Sequence, residues 1–356
     1  MYDENWEKKN TEVFQCPNCG GSMKFDPASQ KLKCERCGSD MEPESGDDAM
    51  QASEVIVEHD FNRDELETFD GWTDQNRVYR CDFCGAVTTL DIHEAAGNCP
   101  FCGSPQIVST DESPGIKPES VLPFSISEDA AAEKFRKWIK GKFFAAGAAK
   151  SEHTLGSFTG IYMPFWTYDA DTYSSYVVRV GNHYTDSDGN VHTRWHTERG
   201  THSRFFDDVL VPASKTLDSG EIHDIYPYDT AYLKPYKHEY LSGFIAERYT
   251  IGLKEGFDIA EGIMDDRIRD EIRASVYGDE VNIVSLKTTM KDITFKHILV
   301  PIWVSTFICG NKSYRFMVNG QTGKVSGKYP YSYPKIAAVV LVILVIVLIM
   351  LYLLSR

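Results

Sequence analysis

Apolar residues are most concentrated near the C-terminal end of this 356-residue chain. Residues 336–354 form an apolar run without a charge, a glycine or a proline, and only Ser355 and Arg356 follow it. At a rise of about 1.5 Å per residue, a helix of this length crosses a bilayer core of about 30 Å. Helices in soluble cores usually keep a polar face, and this run has none. The pattern predicts a single-pass transmembrane helix, and therefore a tail-anchored protein.

An amphipathic helix is predicted near the start of the preceding domain. Ser125 and Glu128 have the spacing of a capping box, in which two side chains satisfy backbone N–H groups at a helix N-terminus. In the run 128–146 the apolar residues that share one helical face are Ala131, Phe135, Trp138 and Ile139. A second helical region is predicted at 238–276, with interruptions near Gly252 and Gly256.

Strand patterns occupy much of the same domain. Two runs rich in Tyr, Val and Phe, 160–180 and 192–211, flank the sequence Asp188-Gly189-Asn190, which is typical of a tight hairpin turn. Another tight turn is predicted at 319–324 (NGQTGK), between strands near 314–318 and 325. The order of elements predicts the α+β class, with a mixed domain of helices and antiparallel sheet over residues 120–334.

Two short segments of this domain resemble each other. Residues 161–166 (IYMPFW) and 298–303 (ILVPIW) carry a proline at the same position, and each precedes an aromatic strand. A duplicated strand-hairpin unit would explain the similarity, and chance recurrence of a short apolar pattern is the competing explanation. The prolines are expected at strand starts or edges, where a missing N–H donor is tolerated.

Eight of the nine cysteines form two blocks with the same spacing, C-x2-C-x14-C-x2-C. A pair of thiolates two residues apart can hold one side of a tetrahedral metal, and a second pair, returned by a hairpin, completes a four-cysteine zinc site. Glycine follows each pair, at a point where the backbone must turn tightly. The predicted ligands are Cys16, Cys19, Cys34 and Cys37 in the first block, and Cys81, Cys84, Cys99 and Cys102 in the second.

Other cysteine chemistry requires other sequence features. A disulfide framework would require an oxidising compartment, and residues 1–10 contain no apolar segment of a signal peptide. A redox dithiol would require one pair at a helix start, whereas each pair here has a mate 14 residues away. Iron, bound as in rubredoxin, is the remaining alternative to zinc. Because four thiolates leave no open coordination position, we expect two structural Zn²⁺ ions, which stabilise ribbons too small to fold alone.

These patterns divide the chain into successive parts. They are a zinc ribbon at 11–40, an acidic linker and packing segment at 41–76, a second ribbon at 77–108, the α+β domain at 120–334 and the transmembrane helix at 336–354. Between residues 40 and 70, twelve Asp or Glu face a single Arg63, so residues 39–53 are expected to be a flexible linker. The segment 54–80, which contains Trp72, is expected to pack on the second ribbon.

Charge is distributed unevenly along the chain. The net charge is −15, yet no Asp or Glu follows Asp292. The basic residues after it are Lys296, Lys312, Arg315, Lys324, Lys328, Lys335 and Arg356, which leaves −22 for residues 1–292. Basic side chains beside a membrane helix favour the cytoplasmic side and anionic lipid headgroups, although a solvated sheet edge is the alternative explanation. We therefore expect a single-pass protein of the cell membrane whose N-terminal bulk faces the cytoplasm.

The same charge argues against a nucleic-acid partner, because a net −22 repels a polyanion. The first ribbon contains Lys24, Lys31, Lys33 and Arg36, and it balances them with Asp26, Glu35 and Asp40. Zinc ribbons can still bind nucleic acid through their backbone and basic side chains. Nucleic-acid binding therefore stays an alternative, and it is not the function that we expect.

Candidate catalytic groups are few. His192 and His196 could form a metal pair on a helix, but in a strand they lie about 13 Å apart on one face; with His183 and His202 they are expected to be exposed polar residues. Cys309 is expected to be a small buried residue in an apolar strand. The acid pairs Asp207-Asp208 and Asp265-Asp266 are expected at the surface or in turns. No motif of a serine hydrolase, a zinc protease or an ATPase occurs, so an enzyme is not predicted.

Several further motifs occur along the chain: CPNCG and CPFCG in the ribbons, VLPF at 121–124, GIYMPFW at 160–166, YLSGFIAERY at 240–249 and NGQTGK at 319–324. Together they resemble an uncharacterised group of bacterial zinc-ribbon proteins with a C-terminal transmembrane helix. Proteins of this type are often labelled as primosomal replication-restart helicases or as transcription-factor-IIB-type ribbon proteins. The helicase label lacks support here, because the chain has no G-x4-G-K-[ST] loop to bind a nucleotide phosphate.

The sequence therefore predicts a membrane-tethered adaptor, in which zinc ribbons offer rigid surfaces to an unidentified protein partner. The alternatives are a nucleic-acid-binding ribbon protein and an enzyme with an unrecognised site in residues 120–334. Each metal site is expected to be local, so that Cys16→Ser or Cys81→Ser would unfold only the ribbon that carries it.

Overall fold

A computed structural model describes residues 14–43, 56–62, 77–90 except 83, 99–109 except 103, 105 and 106, 116–150, and 158–354 except 218, 310 and 311. The helices are α1 (Glu128–Gly141), α2 (Gly147–Lys150), α3 (Ser219–Ile225), α4 (Leu253–Ser275) and α5 (Tyr333–Leu354). The strands are β1 (Met23–Asp26), β2 (Lys31–Cys34), β3 (Asp40–Met41), β4 (His59–Asp60), β5 (Arg77–Cys81), β6 (Val87–Leu90), β7 (Ile107–Ser109), β8 (Ser120–Val121), β9 (Thr159–Thr185), β10 (Val191–Pro212), β11 (Lys234–Pro235), β12 (Ile245–Glu247), β13 (Glu280–Cys309), β14 (Lys312–Asn319) and β15 (Val325–Gly327). Most of the predicted linker, and Trp72, lie outside the described residues.

Three long strands form the frame of the central domain. β9 has 27 residues, β10 has 22 and β13 has 30, so β9 alone extends about 90 Å at about 3.3 Å per residue. β10 returns along β9 as an antiparallel hairpin, and Gly189 in its turn has a φ of 84°. This confirms the hairpin predicted from Asp188-Gly189-Asn190. β13 pairs with β9 in antiparallel register from Thr159 to Gly181.

Helix α4 covers one face of these strands beyond residue 170, a region that we call the arm. The arm consists of residues 171–185 of β9 with their partners in β10 and β13. Buried residues recur along α4 at helical spacing and share one apolar cluster with Trp166, Tyr168, Val178 and Val180 of β9: Leu253, Phe257, Ala260, Met264, Ile268 and Ile272. The opposite face of the arm is exposed to solvent, and Tyr173 and Phe205 on it are 50% and 58% exposed.

Two bulges mark the base of the arm. The register of β10 shifts between Phe206 and Val209, and that of β13 shifts between Lys291 and Thr294. Asp169 of β9 lies between both bulges: its carboxylate accepts a hydrogen bond from the backbone N–H of Asp208 at 2.6 Å and from the hydroxyl of Thr294 at 3.1 Å. A single carboxylate therefore contacts both neighbouring strands where their ladders are interrupted, and it accepts the backbone N–H that the bulge in β10 leaves without a ladder partner.

The two similar segments lie side by side in the sheet. Residues 161–166 of β9 pair in antiparallel register with residues 297–302 of β13. Their prolines, Pro164 and Pro301, were expected at strand starts or edges, and this expectation is wrong because both lie inside long central strands. Each proline occupies a gap in the ladder on one side of its strand: β9 changes neighbour there from β12 to β10, and β13 changes from β8 to β14.

The same order of elements occurs on both sides of this pairing. A short strand, a helix, a long strand and an antiparallel return follow one another as β8, α1, β9 and β10, and again as β12, α4, β13 and β14. Each short strand pairs in parallel with the long strand of the other set, β8 with β13 and β12 with β9. Sequence duplication itself stays a prediction.

The helices differ from their predicted bounds for reasons of packing. The side chain of Ser127, and not that of Ser125, caps α1, and Glu128 accepts a hydrogen bond from the backbone N–H of Phe158. The predicted helical region 238–276 contains a short 3-10 turn and β12 before α4 begins. Gly256 was expected to interrupt the helix but lies inside α4. A Cβ at this position would be 2.7 Å from both Trp166 and Tyr168, so the close packing of the helix on these two side chains requires glycine.

Both ribbons are joined to the central domain. Within the described ranges, β1, β2 and β3 form a three-stranded sheet in the first ribbon, and β5, β6 and β7 of the second ribbon continue the twelve-stranded central sheet through the pairing of β6 with β12. Residues 56–62 were expected to pack on the second ribbon. They pair instead with β13, and Phe61 stacks on Phe257 of α4 at 4.4 Å between ring centroids.

Among the described residues, one helix, α5, is long and apolar enough to cross a membrane, and none of its most apolar window is buried in the protein. It follows the segment 328–332, which runs beside the end of α1. The described fold is therefore a mixed helix and sheet domain with two cysteine clusters before it and an apolar helix after it, as the sequence predicts.

Candidate metal centre

The structure brings the four cysteines of each block together. In each block the four sulfur atoms lie within 4.8 Å of one another. The shortest separations are 3.4 Å for Cys16 and Cys37, 3.5 Å for Cys19 and Cys34, and 3.6 to 3.7 Å for the corresponding pairs of the second block. A tetrahedral zinc ion with Zn–S bonds of about 2.3 Å separates its sulfurs by about 3.8 Å, whereas a disulfide bond is about 2.05 Å long. The geometry fits two four-cysteine metal sites and no disulfide.

The turns that carry the cysteines share one backbone pattern. The backbone N–H of the first cysteine donates to the carbonyl five residues later in all four turns, from Cys16 to Gly21, Cys34 to Ser39, Cys81 to Ala86 and Cys99 to Ser104. The glycine after the second cysteine has a φ of 67° to 76° at positions 20, 38 and 85, a conformation that favours glycine because it has no Cβ. The prediction for these glycines is confirmed, and Gly103 lies outside the described residues.

The same turns point hydrogen-bond donors at the sulfurs. The pKa of Cys37 is lowered to about 6 because the hydroxyl and then the backbone N–H of Ser39 donate to its sulfur. The pKa of Cys84 is lowered to about 5, first by a hydrogen bond from the Cys99 thiol and also by the backbone N–H of Ala86. These donors favour the thiolate, which is the form of cysteine that binds metal.

The first cluster lies in a small ribbon with its own apolar centre. Met23, Phe25 and Leu32 are buried beside its sulfurs. The back of the ribbon contacts the segment 240–244: the hydroxyl of Ser242 donates to the carbonyl of Met23 at 2.8 Å, and Tyr240 packs edge-on against Phe25. The front of the ribbon, with both cysteine turns, is exposed to solvent. This cluster is thus attached to the central domain but not enclosed by it.

The second cluster lies inside the core of the central domain. Cys81, Cys99 and the neighbouring Phe101 are 1% to 3% exposed and share one apolar cluster with Ile161 and Met163 of β9. Arg315 of β14 connects the second ribbon to α3. Its guanidinium donates to the carbonyl of Phe101 in the ribbon at 3.4 Å and to the carboxylate of Glu221 in α3 at 2.7 Å. Loss of metal from this site would therefore disturb the central sheet.

One segment of the chain contacts both ribbons. Residues 240–244 support the first ribbon, and residues 246–248 pair with β6 of the second, where the backbone N–H of Arg248 donates to the carbonyl of Val87. Glu247 in this segment is fully buried and accepts hydrogen bonds from Ser214 and Thr216. Burial raises the pKa of Glu247 to about 7. The motif at 240–249 is therefore the common support of the two cysteine clusters.

A third group of potential ligands was not identified in the sequence. Asp169, Asp207 and Asp208 bring carboxylate oxygens within 4.8 Å of one another. The ammonium of Lys296 already lies among the acids of this region, 2.8 Å from both Asp208 and Glu58, and its side chain is 7% exposed. Burial raises the pKa of Asp169 to about 6. We assign the group to ion pairing at the two bulges, and the expectation that Asp207 and Asp208 are ordinary surface residues is wrong for Asp208.

The remaining candidates behave as polar or packing residues. The histidines of the hairpin each contact a carboxylate, and they do so in the pairs His183–Glu280, His192–Asp186, His196–Glu198 and His202–Glu271. Among the described residues, no histidine joins a group of three or more potential ligands. Cys309 is half-buried at the end of β13.

The two metal sites should differ in their effect on the central domain. We expect Cys16→Ser/Cys19→Ser to release one metal ion and expose only the first ribbon to amide exchange. Cys81→Ser/Cys84→Ser should release the other ion and lower the free energy of unfolding of the central domain by at least about 3 kcal/mol, because the site shares its core. Metal analysis, hydrogen exchange and thermal unfolding of both variants measure this. If both double variants increased amide exchange in β9 and β13 by the same amount, this prediction would be contradicted.

Lys296 should be required for the fold at the base of the arm. Lys296→Met leaves the carboxylates of Asp208 and Glu58 without their shared cation, and breaking a buried pair costs about 3–5 kcal/mol. Lys287→Met, an exposed position on the same strand, is the matched control and should change the stability by less than about 0.5 kcal/mol. Chemical denaturation of the two variants gives the comparison. A Lys296→Met protein as stable as the control would refute the assignment.

Comparison with known proteins gives one relationship. The chain is 30% identical over 332 residues to the uncharacterised protein YdjG of Bacillus subtilis (strain 168), and the alignment covers 91% of this chain and 92% of YdjG. No protein-family model matches the chain, and no solved structure does. The chain belongs to the same family as YdjG.

Proposed function

We propose that the protein is a membrane-anchored adaptor whose two zinc-bound ribbons are held rigidly on the central domain. Helix α5 spans the cell membrane, and the residues before it face the cytoplasm. The first ribbon presents its cysteine turns to a protein partner, and the second ribbon is a structural part of the core. In this proposal the protein carries out no catalysis itself.

The observation that carries the proposal is the orientation of the first ribbon. Its back is held by Ser242 and Tyr240, so its front is directed away from the central domain. Pro17, Asn18 and Arg36 at the two cysteine turns are exposed. The side-chain amide of Asn18 donates to the hydroxyl of Ser39 at 2.8 Å and ties one turn to the other. A surface ordered in this way loses little conformational entropy when it binds a partner.

Zinc is supported by the donor set. Four thiolates in a tetrahedral arrangement are typical of structural zinc, and they leave no position for a substrate. Bound zinc would supply stability and no chemistry at either site. Reduced cysteines also favour the cytoplasmic side of the membrane, where thiols are kept reduced.

Membrane attachment is supported by the composition around α5. Residues 336–354 are apolar on every face, and Lys328 and Lys335 precede them with no Asp or Glu after residue 292. Basic residues beside a transmembrane helix are retained on the cytoplasmic side. The central domain would then lie on the inner face of the membrane.

Attachment and metal content can be measured on the same preparation. We expect the intact chain to float with membranes, to resist extraction by alkaline carbonate and to hold two zinc ions. Removal of residues 336–356 should release a protein that keeps its zinc, because no residue of α5 belongs to the apolar clusters that surround the described cysteines. Iron in place of zinc would refute the metal assignment. Carbonate-extractable intact protein would refute the anchor.

Partner binding can be tested with a photo-crosslinking amino acid at Arg36, on the exposed front of the first ribbon. Tyr277, which is 95% exposed at the end of α4, is the matched control position. We expect a defined protein adduct from Arg36 in native membranes and none from Tyr277. A nucleic-acid adduct at Arg36 would support the alternative function. The same adducts at both positions, or none at Arg36, would refute the adaptor.

A further inference from the structure

A loop of the central domain is fixed beside the start of α5. The loop joins α1 to α2 and runs from Lys142 to Ala146. Two backbone hydrogen bonds connect it to the chain that leads into α5, from Ser332 to the carbonyl of Phe144 and from Ala146 to the carbonyl of Pro330, both at 2.8 Å. The ammonium of Lys335 donates to the carbonyl of Phe143 at 3.2 Å. The loop thus lies at the level of the first turn of α5.

The loop exposes large aromatic side chains at this level. Phe143 is 63% exposed and Phe144 is 37% exposed, and their rings contact each other edge-to-face at 5.2 Å. Tyr331 and Tyr333, on the chain that leads into α5, are 57% and 79% exposed. Exposed apolar side chains that cluster in this way usually mark a contact surface. The cluster borders the apolar helix, and the described residues leave much of its surface exposed.

The length of α5 gives the position of this cluster relative to a bilayer. Residues 336–354 extend about 28 Å as a helix, which is close to the hydrocarbon thickness of about 30 Å. The apolar run therefore has no surplus length, and Ile336 must lie near the boundary of the hydrocarbon. Lys335 and the adjacent Phe143 then lie in the headgroup layer, where aromatic side chains are enriched in membrane proteins.

The charge around the cluster fits an anionic surface. Residues 134–150 contain no Asp or Glu, and neither do residues 293–356. Lys335 lies 5.7 Å from the centre of the Phe143 ring, and Lys142 lies 4.7 Å from that of Trp138. Lysines of this kind can lay their aliphatic stems along apolar surface and extend the ammonium toward lipid phosphates.

We propose that the loop Lys142–Ala146 is a second membrane contact, in which Phe143 and Phe144 insert into the interfacial layer of the leaflet that α5 enters. Lys142 and Lys335 contact anionic headgroups around them. Because the loop is bonded to the chain before α5, the two contacts restrict how the central domain tilts on the membrane. This inference rests on the proposed membrane anchor.

The test uses the full-length chain with Phe143→Trp, reconstituted into vesicles of phosphatidylcholine and phosphatidylglycerol. Bromine atoms on the lipid chains close to the headgroups quench nearby tryptophan. The control is Tyr277→Trp, and emission from the six native tryptophans, measured on the unchanged chain, is subtracted. We expect Trp emission from position 143 to be quenched at least about twofold by the brominated lipid and protected from aqueous iodide. Emission from position 277 should show the reverse.

The inference would be overturned if aqueous iodide quenched the emission from position 143 and the brominated lipid did not. Phe144→Trp, at the less exposed position, repeats the measurement if Phe143→Trp fails to fold. Flotation of the vesicles separates this failure from a failure of the anchor. Protein that does not float refutes the anchor itself, whereas protein that floats with an unquenched Trp at position 143 refutes only the loop contact.

Discussion

The pairing of β9 with β13 is the contact on which the other parts of the molecule depend. Five other strands pair directly with one of these two: β10 and β12 with β9, and β4, β8 and β14 with β13. The second ribbon reaches the same sheet through β12, and α4 packs on the face that β9 and β10 present. Where neighbours change along the two strands, Pro164 and Pro301 occupy the gaps. A break in this pairing would divide the sheet into one part with β9, β10, β12 and the second ribbon and another part with β4, β8, β13 and β14.

Two four-cysteine clusters with the same local geometry have different structural surroundings. The cysteine turns of both ribbons repeat one set of backbone hydrogen bonds, so the backbone is arranged in the same way around both sets of sulfurs. Beyond the turns, Phe25 lies in a small separate cluster, whereas Phe101 belongs to the main core. Identical ligand chemistry can therefore supply local order in one place and stability of the whole domain in another.

Local features were predictable and distant contacts were not. The cysteine turns, the hairpin at Asp188–Asn190 and the apolar helix follow from residues that are neighbours in the sequence. The sequence offered Ser125 as the cap of α1 and Gly256 as an interruption of the second helix. In the structure Ser127 is the cap and Gly256 lies within α4, because tertiary packing decides between such local alternatives. The role of Asp169 depends on two bulges in other strands. The common support at 240–249 likewise joins partners that are far apart in sequence.

β13 also limits the order in which the molecule can be completed during synthesis. It follows β4, β8 and β9 in the chain and pairs with all three, so these strands have no shared partner until it has been made. Contacts between distant residues form slowly because a long intervening chain must first be closed into a loop. α5 begins at Tyr333, shortly after β13 ends at Cys309. The nascent chain therefore carries its most apolar segment, α5, while strands of the central sheet still lack their partners. The apolar helix and the unpaired strands need protection from aggregation at the same time.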